Sequence, residues 1–336
     1  MKRVSGGRPS VSFISWSSVA GRSKEIAQAL GGESRCYYDF GFVRPLTIPI
    51  RYAASALRTI FHLALRRPRS VIVSNPPIFP GLIAYGYGRL AGAPVVLDSH
   101  PSSFGVNESN RLVALTMPLH RYLIPRVRGN LVTVDELAER VRGEGGRSEI
   151  LHEAPPLWEA APAPPLTGRP RVLLVGIFAD DEPVELIAEA ARYLPDVDVH
   201  ITGDLRKCPP GLLVDPAPNV TFVGFLAEPE YLRAVSEAHV IVTLTERPED
   251  VSRVGHEAIA AKRPLVISRS EATLRYFPSA VQVENTVEAV GAGVRRALDE
   301  YDRILAGADA ALAEQNARWE DQLAALRALL TIESPA

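Results

Sequence analysis

Residues 243–268 read TLTERPEDVSRVGHEAIAAKRPLVIS, and this stretch decides the fold. An apolar, β-branched run, Val240–Thr243, leads into it, and a second, Pro264–Ile267, closes it. Both runs are short and bounded by turn-forming residues, so they predict strands; Val254–Lys262 predicts the helix between them, with Ser252 as its N-cap. A strand, a loop, a helix and a second strand make a parallel crossover unit. Glu249 and Glu257 stand eight positions apart. The first falls in the loop, the second inside the helix one or two turns from its start. Both can then border a cleft at the C-terminal edge of a parallel sheet, where ligands bind in such folds. The helix start offers free N–H groups to a phosphate, and carboxylates accept hydrogen bonds from sugar hydroxyls.

Outward from this unit the same alternation recurs. Arg171–Val175, Val197–Thr202 and Val220–Val223 predict strands; Pro183–Tyr193 and Glu230–Ala238 predict helices. Toward the N-terminus the strands are Val11–Trp16, Val71–Val73, Pro94–Leu97 and Leu131–Val134. The helices there are Ser23–Leu30, with Ser23 as N-cap, then Ile48–Leu65, Phe79–Ala91 and Glu136–Arg142. Six prolines between Pro155 and Pro170 can join neither a ladder nor a helix, which predicts an interdomain linker. The expected organisation is an N-terminal Rossmann-like domain over 1–154, the linker over 155–170, a second Rossmann-like domain over 171–314 and a terminal helix over 315–330.

Bulk properties exclude several classes. The two cysteines, Cys36 and Cys208, have no partner at metal-ligand spacing, so reduced thiols in a cytoplasmic protein are expected. No segment reads as a signal peptide, and Val71–Leu97 is too often broken by proline for a membrane span. The net charge of −2 is unevenly divided: residues 1–150 carry 20 Lys and Arg against 10 Asp and Glu, and the remainder 17 against 29. Between Phe40 and Leu97 there are seven arginines and no acid. Such a basic half predicts an anionic partner. Arg44, Arg51 and Arg58 recur every seven residues, which puts the last two on one face of the predicted helix. That face is either a solvated one or a contact for anionic lipid headgroups or a diphosphate-bearing lipid acceptor.

The residues from Glu249 onward resemble the paired-glutamate motif of family-4-type glycosyltransferases with the GT-B fold. There a Glu is followed, after seven residues, by one that opens Glu-Ala-Met-Ala-x-Gly-x-Pro-Val-Val. Here the second part reads Glu257-Ala258-Ile259-Ala260-Ala261-Lys262-Arg263-Pro264-Leu265-Val266. The resemblance implies two facing, doubly wound α/β domains with a C-terminal helix returning to the first. It implies that Glu257 holds the nucleotide ribose and that Glu249 contacts the donor sugar near its anomeric centre. Ile201-Thr202-Gly203-Asp204 and Asn219-Val220-Thr221-Phe222-Val223-Gly224-Phe225 are similar to segments beside the nucleotide, which adds Gly203 and Phe225 to the donor site. Arg318-Trp319-Glu320, with Leu323 and Leu326, resembles the returning helix.

In the first half, Ser74-Asn75-Pro76-Pro77, Asp98-Ser99-His100 and Leu151-His152-Glu153-Ala154-Pro155 resemble the eukaryotic β-mannosyltransferase that extends lipid-linked chitobiose. This resemblance tilts the donor toward GDP-mannose. His100, at the C-terminal end of a predicted strand, would face the cleft and contact the donor sugar or the reacting centre. Asp98 would orient His100 or serve as base. Gly21 and Arg22 after the first strand, with Asn75, form the acceptor or phosphate side. Each also has a purely structural reading: a strand-to-helix turn for Gly21, a turn for Asn75, a loop histidine, a capping aspartate.

Two departures from the family pattern bear on the diphosphate. Gly176-Ile177-Phe178-Ala179-Asp180-Asp181-Glu182 lacks the family's Arg and Lys, and Asp250-Val251-Ser252 stands where Gly-Phe-Gly is usual. Arg253 is the expected replacement cation, with Arg206 and Lys207 behind it. Gly176, Asp250 and Ser252 complete the expected donor site. No Asp-x-Asp motif is present where a metal-bound diphosphate would need one, so no metal or other cofactor is predicted. The expected partners are a nucleoside diphosphate sugar and a glycan, lipid-linked or small-molecule acceptor, with no nucleic acid. The expected location is the cytoplasm, either free or peripheral on the inner face of the membrane. The expected activity is hexosyl transfer; a sugar-nucleotide 2-epimerase of similar fold and a non-catalytic partner subunit are the alternatives.

Overall fold

The structure is a computed structural model and describes residues 9–17, 21–38, 48–105, 111–156, 158 and 161–330. Arg44 therefore lies outside the described residues. The chain divides into two compact units, Met1–Ala154 with Trp319–Ala336, and Pro155–Arg318.

The first unit runs β1 (Val11–Ser15), α1 (Gly21–Ala29), β2 (Glu33–Cys36), α2 (Ile48–Arg66), β3 (Ser70–Asn75), α3 (Phe79–Ala91) and β4 (Val95–Ser99). A 3-10 turn at Pro101–Phe104 follows, then α4 (Arg111–Leu123), β5 (Gly129–Val132), α5 (Asp135–Gly143) and β6 (Ser148–Ile150). All six strands are parallel, in the order β2-β1-β3-β4-β5-β6. Every residue of β1 and β4 is buried, as a sheet covered on both faces requires. One face packs Ile14, Val71, Val73 and Leu97 against Leu63 of α2, Ala84 of α3 and Leu123 of α4. The other packs Phe13, Ile72 and Leu131 against Ile26 and Ala27 of α1.

The second unit runs β7 (Arg171–Leu174), α6 (Val184–Ala190), β8 (Asp198–Thr202), α7 (Pro210–Val214), β9 (Val220–Gly224), α8 (Glu228–Glu237), β10 (Val240–Thr243) and α9 (Arg253–Ala260). It ends with β11 (Leu265–Ser268), α10 (Glu271–Tyr276), β12 (Val281–Val283), α11 (Val287–Asp299) and α12 (Tyr301–Leu330). Its sheet is also all parallel, ordered β12-β11-β10-β7-β8-β9. The final turns of α12 belong to the first unit, where Trp319, Leu323, Leu326 and Leu329 join Val11 and Phe13 in one apolar cluster.

Several expectations are corrected. Helix α1 starts at Gly21, so Ser23 lies within it, buried, and accepts from the Ser34 hydroxyl at 3.3 Å rather than capping the helix. The terminal helix is not confined to 315–330 but spans 30 residues from Tyr301. The proline-rich stretch is tied down by its carbonyls. Arg263 donates to Ala161 O and Pro162 O at 3.1 and 3.2 Å, and Tyr301 Oη donates to Pro164 O at 2.8 Å. Proline cannot donate but accepts as well as any residue, so the stretch packs without forming a ladder.

Candidate active site

Strand order sets where a ligand can sit. In the second sheet the direction of winding reverses between β7 and β10, which opens a crevice at the C-terminal ends of those strands. The loops after β7, β8, β9 and β10 all emerge at this edge, because the four strands are parallel neighbours. They carry Gly176, Gly203, Phe225 and the Arg247–Ser252 segment, respectively.

The β10–α9 connection is held at its end by Ser252. Its hydroxyl accepts from Val254 N at 3.2 Å as the N-cap and lies 3.2 Å from Thr243 Oγ1 at the strand's end. Glu257 lies on the second turn of α9 and is buried. Its Oε1 accepts from Arg253 Nε at 2.9 Å, and the Tyr231 hydroxyl of α8 donates to Oε2. Burial, and then the Glu257 charge, raise the Tyr231 pKa well above its ordinary value, so the phenol stays protonated and keeps donating. Arg253 is thus drawn onto Glu257 as well as standing at the helix start.

Two buried polar atoms of this connection have no hydrogen-bond partner among the described residues: Glu249 Oε2, an acceptor, and Arg247 Nε, a donor. Arg247 also reaches Asp181 at 3.1 Å. Asp250 is half-buried and its amide donates to Arg247 O at 3.1 Å. Orphaned groups of both signs in one loop are costly unless a ligand satisfies them.

The β7 loop is occupied from within. Glu182 Oε2 accepts from Ile177 N at 2.7 Å and Ala179 N at 3.2 Å. A carboxylate therefore sits on amides that would otherwise face an anion. Gly176 is held to β8, its amide donating to Thr202 Oγ1 at 3.1 Å. Gly203 has φ +138°, and a Cβ there would lie 2.4 Å from the Phe178 ring, so this glycine serves close packing of the β7 loop. Phe225, just beyond β9, is 78% exposed. Arg206 is folded back onto Asp204 at 2.7 Å, and the Lys207 amide donates to Asp204 O at 2.8 Å.

In the first sheet the reversal lies between β1 and β3. Gly21 opens α1, and Arg22 follows it. Arg22 makes a fork onto Asp98, Nε to Oδ2 and Nη2 to Oδ1 both at 3.0 Å. It also donates to Leu151 O, His152 O and Glu153. Burial tends to raise the Asp98 pKa, but Arg22 and then His100 outweigh it and hold the carboxyl below its ordinary range. Asp98 is consequently committed to Arg22 and is a poor base. His100 Nε2 lies 3.8 Å from Asp98 Oδ2, too long for a hydrogen bond, and its side chain is 42% exposed. Asn75 O accepts from His100 N at 2.9 Å and from the Ser103 hydroxyl at 2.6 Å. The peptide bonds from Asn75 to Pro76 and from Pro76 to Pro77 are cis.

Four first-unit candidates, Arg22, Asn75, Asp98 and His100, are therefore brought together at one sheet edge. In the second unit Glu257 and Arg253 touch, and Glu249 shares their connection. Sequence reasoning missed Tyr231, Arg247 and Glu182. Only Glu182 left a signal, as the acid closing a loop where cations were expected.

No family model and no curated protein sequence matches the chain. Solved structures do. Sucrose-phosphate synthase from Thermosynechococcus elongatus has a TM-score of 0.73 at 16% identity, over 96% of this chain and 98% of that one. The chain has the GT-B fold. HepE from Anabaena, in complex with UDP and glucose, is similar with a TM-score of 0.74 at 12% identity, over 96% of this chain and 99% of that one. A glycosyltransferase from Rickettsia africae has a TM-score of 0.68 at 11% identity, over 97% and 100% respectively. HepE is also known in complex with UDP-glucose. Among the described residues, no group of His, Cys, Asp and Glu could hold a metal ion. No helix of the described residues is long and apolar enough to cross a membrane.

Proposed function

We propose that the chain transfers a hexose from a nucleoside diphosphate sugar to a hydroxyl of a glycan, lipid-linked or small-molecule acceptor. The reading rests on the β10–α9 connection. A buried, unpartnered Glu249 oxygen lies in the same loop as a buried, unpartnered Arg247 nitrogen, ahead of a helix that carries Glu257. Glu257 accepts the ribose hydroxyls through lone pairs that Arg253 and Tyr231 leave open. Glu249 accepts from the sugar near the anomeric carbon. Arg247 and Arg253 supply counter-charge to the diphosphate as the glycosidic bond breaks. The exposed Phe225 ring stacks on the base. We assign His100, 3.8 Å from the Asp98 carboxylate that Arg22 holds, to the acceptor or the reacting centre.

HepE with UDP supports a uridine donor, whereas the mannosyltransferase-like segments support GDP-mannose. Calorimetry with UDP and GDP, followed by a nucleotide-sugar hydrolysis screen, decides between them. Binding of neither nucleotide removes the proposal. In that event the second reading holds, a non-catalytic partner subunit. Glu182 favours it, because its carboxylate already occupies the amides of the β7 loop.

A further inference from the structure

Helix α2 is inside out. Its buried residues are Ser55, Thr59, His62 and Leu63, three of them polar. Their polar atoms are satisfied: Thr59 Oγ1 accepts from Trp16 Nε1 at 3.0 Å, and His62 Nε2 lies 3.1 Å from Ser12 Oγ. The opposite side carries Ile50, Leu57, Ile60, Phe61 and Leu65, each between 48 and 79% exposed. Their spacings of three, four and seven residues align them in one stripe along the helix. A surface helix ordinarily turns that stripe to the core. Here five large apolar side chains remain in water, an arrangement that marks a contact surface.

Charge selects the partner. At 100° per residue, Arg58 and Arg51 fall along one border of the stripe, and Arg66, Arg67 and Arg69 follow at its C-terminal end. The Arg51 guanidinium lies 4.8 Å from the centre of the Tyr38 ring. Arg66 reaches Glu33 of β2 at 3.5 Å, but arginines still outnumber acids along this segment, for no acid occurs between Phe40 and Leu97. Two copies of this face would bring like charges together. An anionic membrane surface instead satisfies both the stripe and its basic border, the apolar side chains entering the acyl boundary and the arginines meeting the headgroups.

We propose that α2 docks the chain on anionic lipid bilayers, with Ile50, Leu57, Ile60, Phe61 and Leu65 inserted and Arg51 and Arg58 at headgroup level. The proposal goes beyond glycosyl transfer and does not rest on it: nucleotide calorimetry needs no lipid, and flotation needs no nucleotide.

Flotation of the full chain tests it, with vesicles of equal parts phosphatidylcholine and phosphatidylglycerol compared with phosphatidylcholine alone. The wild-type chain is expected to float with the anionic vesicles, less with the neutral ones, and less again as salt is raised. Leu57→Gln with Phe61→Gln should lower partitioning about tenfold or more, while circular dichroism and the melting temperature are retained. If that pair fails to fold, Ile50→Gln with Leu65→Gln, at the ends of the stripe, serves in its place. Arg51→Gln with Arg58→Gln should remove the preference for anionic vesicles. Failure of the wild-type chain to float at low salt, or unchanged flotation of the apolar variants, overturns the proposal. A dimer in sedimentation that dissociates on Leu57→Gln with Phe61→Gln also overturns it, by assigning the face to a second copy.

Discussion

Arg253 Nε lies 2.9 Å from Glu257 Oε1, four positions further along α9. The residue expected to neutralise a diphosphate thus holds the residue expected to bind the ribose. With Tyr231 donating to the other oxygen, the Glu257 carboxylate is fixed before any nucleotide arrives, which lowers the entropy lost on binding. Glu257→Ala should weaken nucleotide binding by about tenfold or more, as expected for hydrogen bonds to a charged group. Tyr231→Phe should weaken it less, by loosening the carboxylate without removing it. Calorimetry with whichever of UDP or GDP binds is the measurement; equal affinity for wild type and Glu257→Ala would refute the assigned role.

Glu249 should separate binding from turnover. Its buried Oε2 has no hydrogen-bond partner among the described residues, so its contribution is expected when the reacting sugar is present. Glu249→Gln should reduce kcat by about a hundredfold or more with nucleotide affinity changed little. Parallel loss of affinity and kcat would place the residue in ground-state binding instead.

Glu182 should act against the donor. Its carboxylate accepts from the Ile177 and Ala179 amides and so brings negative charge to a loop beside β10. Glu182→Gln removes that charge and should tighten nucleoside diphosphate binding by several-fold, while costing about 1 kcal/mol of stability from the weakened loop. Titration of UDP and GDP, paired with urea unfolding, reads both effects. An affinity no higher than wild type would mean that the phosphates bind elsewhere.

His120 should make stability pH-dependent. It is buried, its Nδ1 donates to Ser103 O at 2.9 Å, and its Nε2 lies 3.2 Å from the hydroxyl of Ser99, next to His100. Burial lowers its pKa from 6.5 to about 4. The unfolded chain therefore binds the proton first as pH falls. The stability from neutral His120 is complete above 6.5 and declines as pH drops toward about 4. The full span is roughly 3 kcal/mol. Urea melts across that window should show the decline, and His120→Gln should flatten it; an unaltered slope in the variant would assign the decline to other groups.

Much of the architecture was legible locally. Val71–Val73, Pro94–Leu97 and Val240–Thr243 lie in interior strands, which need apolar residues toward both faces and so announce themselves. The strands that escaped notice, β2, β6 and β12, all stand at sheet edges. With a neighbour on one side only, Glu33–Cys36 and Ser148–Ile150 remain partly solvated and carry no apolar run. Helix α4 was missed as well, and Pro118 interrupts its sequence pattern. For the site, the Glu249 and Glu257 pair and the Ser252 cap lie within one connection and could be read from spacing. Tyr231 could not, because it reaches Glu257 from a different helix, α8.

The amino-acid sequence by itself determined two series of parallel strands with helices between them, because burial on both faces dictates residue type position by position. It also determined which loops carry the paired glutamates, since those follow from the order of strand, cap and helix. Only the tertiary structure decided which charges meet: Arg22 with Asp98, 76 positions away, and Glu257 with Tyr231, 26 positions away. It likewise turned the polar side of α2 inward and left its apolar stripe in water. Such pairings depend on which elements the sheet order makes neighbours, and no local periodicity encodes that order.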